Sequence, residues 1–153
     1  MNDVDSDWRL RHARWIQRSG VLLFLLGLFN GFAVHTQALP GVVLAAHLVA
    51  LMGGTFLIAI GLLWSRLGLS RRASLAGIWL AVYGFYGGWL LYLLAGVAGI
   101  GGMFPLAAGP ARGTAAQEGF LGIAFATAAV AMVGLCGLIL WGLRGSGQRG
   151  ARR

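Results

Sequence analysis

Four long apolar stretches with almost no charge fill this chain from about Gly20 to Trp141. An α-helix rises about 1.5 Å per residue, so roughly 20 mostly apolar residues cross a bilayer core about 30 Å thick. Each stretch meets that length. The sequence therefore predicts an all-α fold, an integral membrane four-helix bundle within residues 19–143. The predicted spans cover about 19–34, 42–64, 73–98 and 117–141.

The two ends of the chain have a different composition from the spans. Residues 1–18 carry charges together with Trp8 and Trp15, which is typical of a cytoplasmic or interfacial segment with aromatic anchors. Residues 144–153 form a tail rich in glycine and arginine, whose low apolar content predicts disorder. No segment is long enough for a separate soluble core, so any chemistry should lie within the bundle.

The net charge of +8 comes from arginine alone, because the chain has no lysine. Eleven of the twelve arginines precede the first predicted span, lie between the second and third, or follow the fourth. Positive residues in short loops stay on the cytoplasmic side, so both termini and the middle loop should be cytoplasmic in a multi-pass protein of the inner membrane. This placement makes the charge a topology signal, and no nucleic acid partner is expected.

Polar residues inside the spans indicate where a ligand would bind, because they are costly in hydrocarbon. Counting from the span ends places Asn30, His47 and Tyr92 at a similar depth in the outer half of the bundle, with Glu118 slightly nearer the outer surface. This layer is the candidate site, with Tyr92 and Asn30 as candidate catalytic residues. Two alternatives stay open: His47 or Asn30 bonds only to a neighbouring helix, and Glu118 only places a carboxylate at a helix N-terminus.

A neutral imidazole such as that of His47 can be an axial haem ligand and metal-binding residue. A flat macrocycle needs a wall poor in side chains, and glycines follow His47 and precede Tyr92 along their spans. The candidate cofactor-binding residues are therefore His47, Gly53, Gly54, Gly84 and Gly88. The chain has no CxxCH sequence, so any haem would be held noncovalently.

Three segments carry a resemblance to a known family. Residues 46–57 (AHLVALMGGTFL), residues 79–89 (WLAVYGFYGGW) and the pair Gln117 and Glu118 resemble hydroxylaminobenzene mutase and, more distantly, styrene oxide isomerase. The resemblance covers about residues 19–143. It implies a trimeric membrane isomerase with haem b between subunits, in which His47 matches the haem ligand and Tyr92 a tyrosine facing the substrate.

The resemblance also implies a chemistry. Ferric iron would act as a Lewis acid on the oxygen of a small hydrophobic aromatic substrate, converting an arylhydroxylamine to an aminophenol or an aryl epoxide to an aldehyde. Three positions depart from the mutase pattern, in which an acidic residue replaces Val49 and asparagines replace Gly53 and Gly88. A noncatalytic membrane protein that binds haem or lipid is therefore the main alternative, and a small exporter is the third interpretation.

Overall fold

The computed structural model describes residues 3–144, with side chains from residue 7 onward. Its helices are α1 (Asp3–Ala33), α2 (Pro40–Trp64), α3 (Arg71–Val82), α4 (Gly88–Ala98), α5 (Pro105–Ala108) and α6 (Ala115–Arg144). A 3₁₀ turn (Val34–Thr36) follows α1, and a π-helical turn (Tyr83–Gly87) joins α3 to α4. Residues 145–153 of the basic tail expected to be disordered lie outside the described residues.

Four helical segments are long and apolar enough to cross a membrane: Asp7–Thr36, Pro40–Trp64, Arg71–Ala98 and Ala115–Arg144. They confirm the prediction of an all-α membrane bundle. The third segment comprises α3, the π turn and α4, while α1 joins the N-terminal segment to the first span without a break. We call the end with the start of α1 and the α2–α3 turn the basic end, and the opposite end the loop end.

Large apolar side chains cover the outside of the bundle. Phe32 is 85% exposed, Met52 72% and Val133 73%. A water-soluble monomer rarely exposes so much contiguous apolar surface, whereas lipid tails solvate it at no cost. These exposures agree with a surface in contact with a bilayer.

Glycines allow α1 and α2 to pack closely. A Cβ atom at Gly20 would lie 2.6 Å from the carbonyl oxygen of Gly54, and one at Gly54 would lie 2.7 Å from the carbonyl oxygen of Gly20. Toward the basic end, a Cβ atom at Gly61 would meet the side chain of Gln17 at 2.6 Å. Side chains at these positions would push the backbones apart, so the missing Cβ atoms permit the hairpin.

Two buried clusters form the interior. The first lies toward the basic end and contains Trp64, Leu57, Phe85 and Leu135, drawn from all four spans together with Leu23. The second lies toward the loop end and joins Val42 and Ala95 to Ile100, Ala108 and Leu121. The connection between α4 and α6 therefore packs into the bundle through its own apolar residues.

That connection is held by conventional caps. Gly99, with a φ of 74°, ends α4 in the left-handed conformation, and the amide of Ile100 donates to the carbonyl of Ala95. Thr114 begins α6 through a reciprocal capping box, because its amide donates to Gln117 Oε1 and the Gln117 amide donates to its hydroxyl. These bonds fix both ends of the loop at 99–114.

Candidate functional site

His47 lies on α2 with its ring against α1. Its Nδ1 is 2.7 Å from the carbonyl oxygen of Gly27, and a Cβ atom at Gly31 would lie 2.8 Å from the same nitrogen. Gly27 and Gly31 are one helical turn apart, so together they form a shallow seat for the ring. A carbonyl oxygen only accepts, so Nδ1 donates this bond, and in the neutral tautomer that makes it, Nε2 carries the lone pair. His47 is half-buried, so the interface does not enclose the ring completely.

Asn30 makes the matching contact in the opposite direction. Its buried amide donates through Nδ2 to the carbonyl oxygen of Val43 at 3.3 Å. Val43 precedes His47 by about one turn of α2, so each helix sends one side chain to the backbone of the other within the same layer. The amide of Asn30 therefore cross-links α1 and α2, as one of the two open alternatives expected, while its catalytic assignment stays a prediction.

Tyr92 lies on α4 in an aromatic cluster. Its ring centroid is 5.0 Å from that of Phe104 in the loop and 4.9 Å from that of Phe125 on α6, the latter edge to face. Among the described residues, its hydroxyl forms no hydrogen bond and its ring does not stack on that of His47. The structure thus places Tyr92 at the loop end with a free hydroxyl, separate from the imidazole within one protomer.

The four glycines assigned to a cofactor have different surroundings. A Cβ atom at Gly53 would lie 2.8 Å from the Phe85 ring, one at Gly54 would meet α1, and one at Gly84 would lie 2.6 Å from the sulfur of Met132. Gly88 alone has no atom within 4 Å of that position. Protein atoms of this chain therefore fill the space beside three of them, and their role as cofactor-binding residues stays a prediction.

A cleft of about 350 Å³ opens beside Gly53 and Gly84. It is apolar throughout, and it is lined by Val49, Met52, Gly53, Phe56, Gly84, Phe85 and Met132. Two of the positions that depart from the family pattern, Val49 and Gly53, thus line one cleft. Its volume falls within the range of about 300–1,000 Å³ that is typical of small-molecule sites.

The π turn shapes this cleft, and no periodic pattern in the chain indicates it. Phe85, at its centre, is buried against Gly53, and its ring is 5.5 Å from that of Phe56. Two tyrosines flanking it bond across the bundle, Tyr83 to Thr127 and Tyr86 to the carbonyl of Ser19, both at 2.7 Å. Single π turns inside α-helices are frequent at functional sites. The run YGFYG, with two glycines among three aromatic residues, is the one feature that could have indicated it.

His47 and the cleft lie on different sides of α2. Successive residues of a helix turn by about 100°, so Val49 and Gly53 project roughly 160° and 120° away from His47. The ring of His47 faces α1, whereas Val49 and Gly53 face the π turn and α6. Within one protomer, the imidazole and the cleft therefore do not form one pocket.

Glu118 holds the loop in place. Its Oε1 accepts the amide of Gly102 at 2.9 Å and the amide of Gly113 at 2.8 Å, and its carboxylate fills the space beside Gly102. The carboxylate also lies in the first turn of α6, where the helix dipole favours negative charge. These contacts agree with the structural alternative for Glu118.

No group of three or more His, Cys, Asp or Glu side chains is placed to hold a metal ion in residues 3–144. The site offers an imidazole whose Nδ1 donates to a carbonyl, a phenol whose hydroxyl forms no hydrogen bond among the described residues, and an apolar cleft. These groups suit an uncharged aromatic ligand better than a charged one.

Comparison with known proteins agrees with these features. The chain is 46% identical over 138 residues to hydroxylaminobenzene mutase HabB of Ectopseudomonas oleovorans, covering 90% of this chain and 84% of the relative. It is 43% identical over 101 residues to hydroxylaminobenzene mutase HabA of the same organism, covering 65% of this chain and 75% of that relative. No solved structure matches the chain significantly. Residues 12–144 match the family model of styrene oxide isomerase, so the chain belongs to the styrene oxide isomerase family.

Proposed function

We propose that this protein is a membrane isomerase that rearranges a small hydrophobic arylhydroxylamine to an aminophenol. The seating of His47 is the observation that carries the proposal, because its Nδ1–H bond to Gly27 leaves Nε2 free to bind a metal. The similarity to two hydroxylaminobenzene mutases favours this substrate class over an aryl epoxide. The reaction is an isomerisation: the N–O bond breaks, a C–O bond forms at a ring carbon, that carbon loses its hydrogen as a proton, and the nitrogen gains a proton, so no oxidant or reductant is needed.

Haem b is the proposed cofactor, and the donor chemistry of His47 fits it. A metal-bound histidine usually donates its other ring nitrogen to a carbonyl or carboxylate, and the Gly27 carbonyl supplies that partner. The half-exposed ring leaves Nε2 as the protein ligand. When bound, haem iron would supply a Lewis acid for the substrate oxygen.

The substrate ring would occupy the apolar cleft beside Phe85. Its walls provide only apolar contacts, so they would orient an aromatic ring by shape while excluding water. The hydroxyl of Tyr92 has no partner among the described residues. Because Tyr92 lies apart from His47 within one protomer and does not line the cleft, it would donate a proton to the substrate oxygen only in a site shared between subunits.

A complete site would form between subunits. Because His47 and the cleft project from different sides of α2, a ligand that meets both needs a second copy of the chain. This geometry supports the proposed homo-oligomer, for which the family resemblance suggests a trimer. The exposed apolar surface of α1 and α2, including Phe32 and Met52, offers area for such an interface.

The orientation in the membrane is also proposed. Both termini and the α2–α3 turn would lie on the cytoplasmic side of the inner membrane. The arginines of the basic end support this orientation, because among residues 7–144 only Arg112 lies at the loop end.

A second function is favoured by the lining of the cleft. No acidic or amide side chain lines it, and the ring of Phe85 fills the space that an asparagine at position 53 would need. A protein that keeps the haem ligand without these polar groups would bind haem or a lipid-like molecule and not turn over substrate. The variant Gly53→Asn, combined with Phe85→Ala to make room, distinguishes this function because restored turnover would identify what the cleft lacks.

Absorption spectroscopy of the protein purified in mild detergent from haem-replete cells tests the cofactor. We expect a Soret band that is lost in His47→Ala and kept in the control His35→Ala, whose ring is exposed at the loop end. A colourless wild type would contradict the haem proposal. Incubation with hydroxylaminobenzene and with styrene oxide then tests turnover: aminophenol formation supports the mutase, and haem without either product supports the noncatalytic function.

A further inference from the structure

A groove separates the parallel helices α1 and α3 at the basic end. Its volume is about 390 Å³, and it is lined by Arg11, His12, Trp15, Leu75, Ile78 and Trp79. The first three residues come from α1 and the others from α3, so the two helices form its opposite walls. Neither wall belongs to the proposed isomerase site.

Two contacts join α1 to the third span near the groove. At the rim, the Arg71 guanidinium lies 5.5 Å from the centre of the Trp8 ring. Deeper in the bundle, the Tyr86 hydroxyl donates to the carbonyl of Ser19. Along both helices these contacts lie before and after the lining residues, so they flank the groove, which we call the slot.

The polarity of the slot changes along its length. Arg11 and His12 line the section nearest the basic end. Ile78, Trp15 and Trp79 line the walls about a helical turn further into the bundle. The indoles of Trp15 and Trp79 are 48% and 71% exposed, and tryptophan prefers the boundary between headgroups and acyl chains. This gradient matches a molecule with a polar head and an apolar chain.

The charge of Arg11 lacks a partner within the described side chains. Arg11 forms no hydrogen bond or ion pair there, and Asp7, one turn earlier on α1, does not pair with it. The Nδ1 of His12 donates to the carbonyl of Trp8 at 2.8 Å, and Nε2 forms no hydrogen bond among the described residues. Arg71 and Arg72, both exposed, add positive charge at the start of α3.

We propose that the slot between α1 and α3 binds one anionic phospholipid. Arg11 and His12 would contact its phosphate, and an acyl chain would lie between Trp15 and Trp79. The complementarity between the Arg11 guanidinium, which has no partner among the described side chains, and the apolar walls identifies this occupant. The inference is independent of the proposed isomerase activity, because no residue of the slot lines the cleft or contacts His47.

Native mass spectrometry of the delipidated protein with equal amounts of phosphatidylglycerol and phosphatidylcholine tests the proposal. We expect the wild type to retain phosphatidylglycerol preferentially and Arg11→Gln to reduce that preference about fivefold. Arg66→Gln is the matched control, since Arg66 is an exposed arginine at the same end but outside the slot, and it should change the preference less than about twofold.

Two further variants separate the site from general charge effects. Arg11→Lys keeps the positive charge and should retain most of the preference, while Trp79→Ala should reduce retention of both lipids equally. Circular dichroism checks that each variant keeps its helices. Equal losses in Arg11→Gln and Arg66→Gln, or a wild type that retains both lipids alike, would overturn the proposal.

Discussion

Gly20 and Gly54 set the distance between α1 and α2, and Gly54→Ala tests how much of the bundle depends on it. A Cβ atom at position 54 would lie 2.7 Å from the Gly20 carbonyl oxygen and 2.7 Å from the Phe24 amide nitrogen. Ordinary contact begins at 3.4 Å, so the helices must separate by about 3.4 − 2.7 = 0.7 Å. Both obstructing atoms are backbone, which cannot rotate away as the end of a side chain can.

The matched control is Gly122→Ala on α6, where no atom lies within 4 Å of the new Cβ. Both variants gain about 1 kcal/mol of helix propensity, but only Gly54→Ala incurs an overpacking cost of about 1–3 kcal/mol. The free energies of unfolding of the two variants should therefore differ by about 1–3 kcal/mol. Titration of sodium dodecyl sulfate into mild-detergent micelles, followed by circular dichroism, measures that difference.

The same variant also distinguishes a packing glycine from a cofactor wall. If Gly54 only lined a haem, Gly54→Ala would have the same free energy of unfolding as the Gly122→Ala control. Its only defect would be the loss of haem absorption. Separation of the helices should instead lower stability even in cofactor-free protein, and it should weaken the His47 bond to Gly27 two turns away. Equal unfolding midpoints for the two alanine variants would refute the packing argument.

Three further predictions concern hydrogen bonds. Glu118→Ala removes the charged acceptor of two loop amides, and such hydrogen bonds are worth about 1.5–3 kcal/mol each. Amide hydrogen exchange across residues 99–114 should therefore accelerate strongly. Unchanged exchange would contradict the role of the carboxylate. Tyr86→Phe removes one bond between helices and should lower the free energy of unfolding by about 0.6–1.7 kcal/mol, with Tyr92→Phe, whose hydroxyl is unbonded, as the neutral control. Thr114→Ala removes the N-cap of α6 and should cost about 1 kcal/mol in the same titration, whereas a stability equal to wild type would argue against the cap.

The candidate site shows where reasoning from the residues was sufficient. Polar side chains inside apolar spans are costly, so depth along the spans was enough to group Asn30 with His47. The structure adds that both side chains contact the backbone of the neighbouring helix, which fixes the tautomer of the imidazole. Spacing along the chain carries no information on that partner, because the contact depends on how α1 and α2 cross.

The cleft shows where such reasoning stopped. A glycine indicates that something packs closely beside it but not what that is. The sequence therefore does not show whether Gly53 faces a ligand or an aromatic ring of the same chain. Phe85 fills that space because the π turn adds a residue to the third span and shifts its register. A hydrophobic pattern has no signal for a single inserted residue, since every neighbouring position is also apolar.

Length and hydropathy determined the four spans of this protein, because a bilayer demands about 20 apolar residues per crossing. The basic residues likewise predict its orientation. Only the tertiary structure decided which apolar surfaces pack together, since lipid and protein interiors are equally apolar and hydropathy cannot distinguish them. The seat of His47, the contents of the glycine-lined spaces and the slot between α1 and α3 all follow from shape and backbone contact.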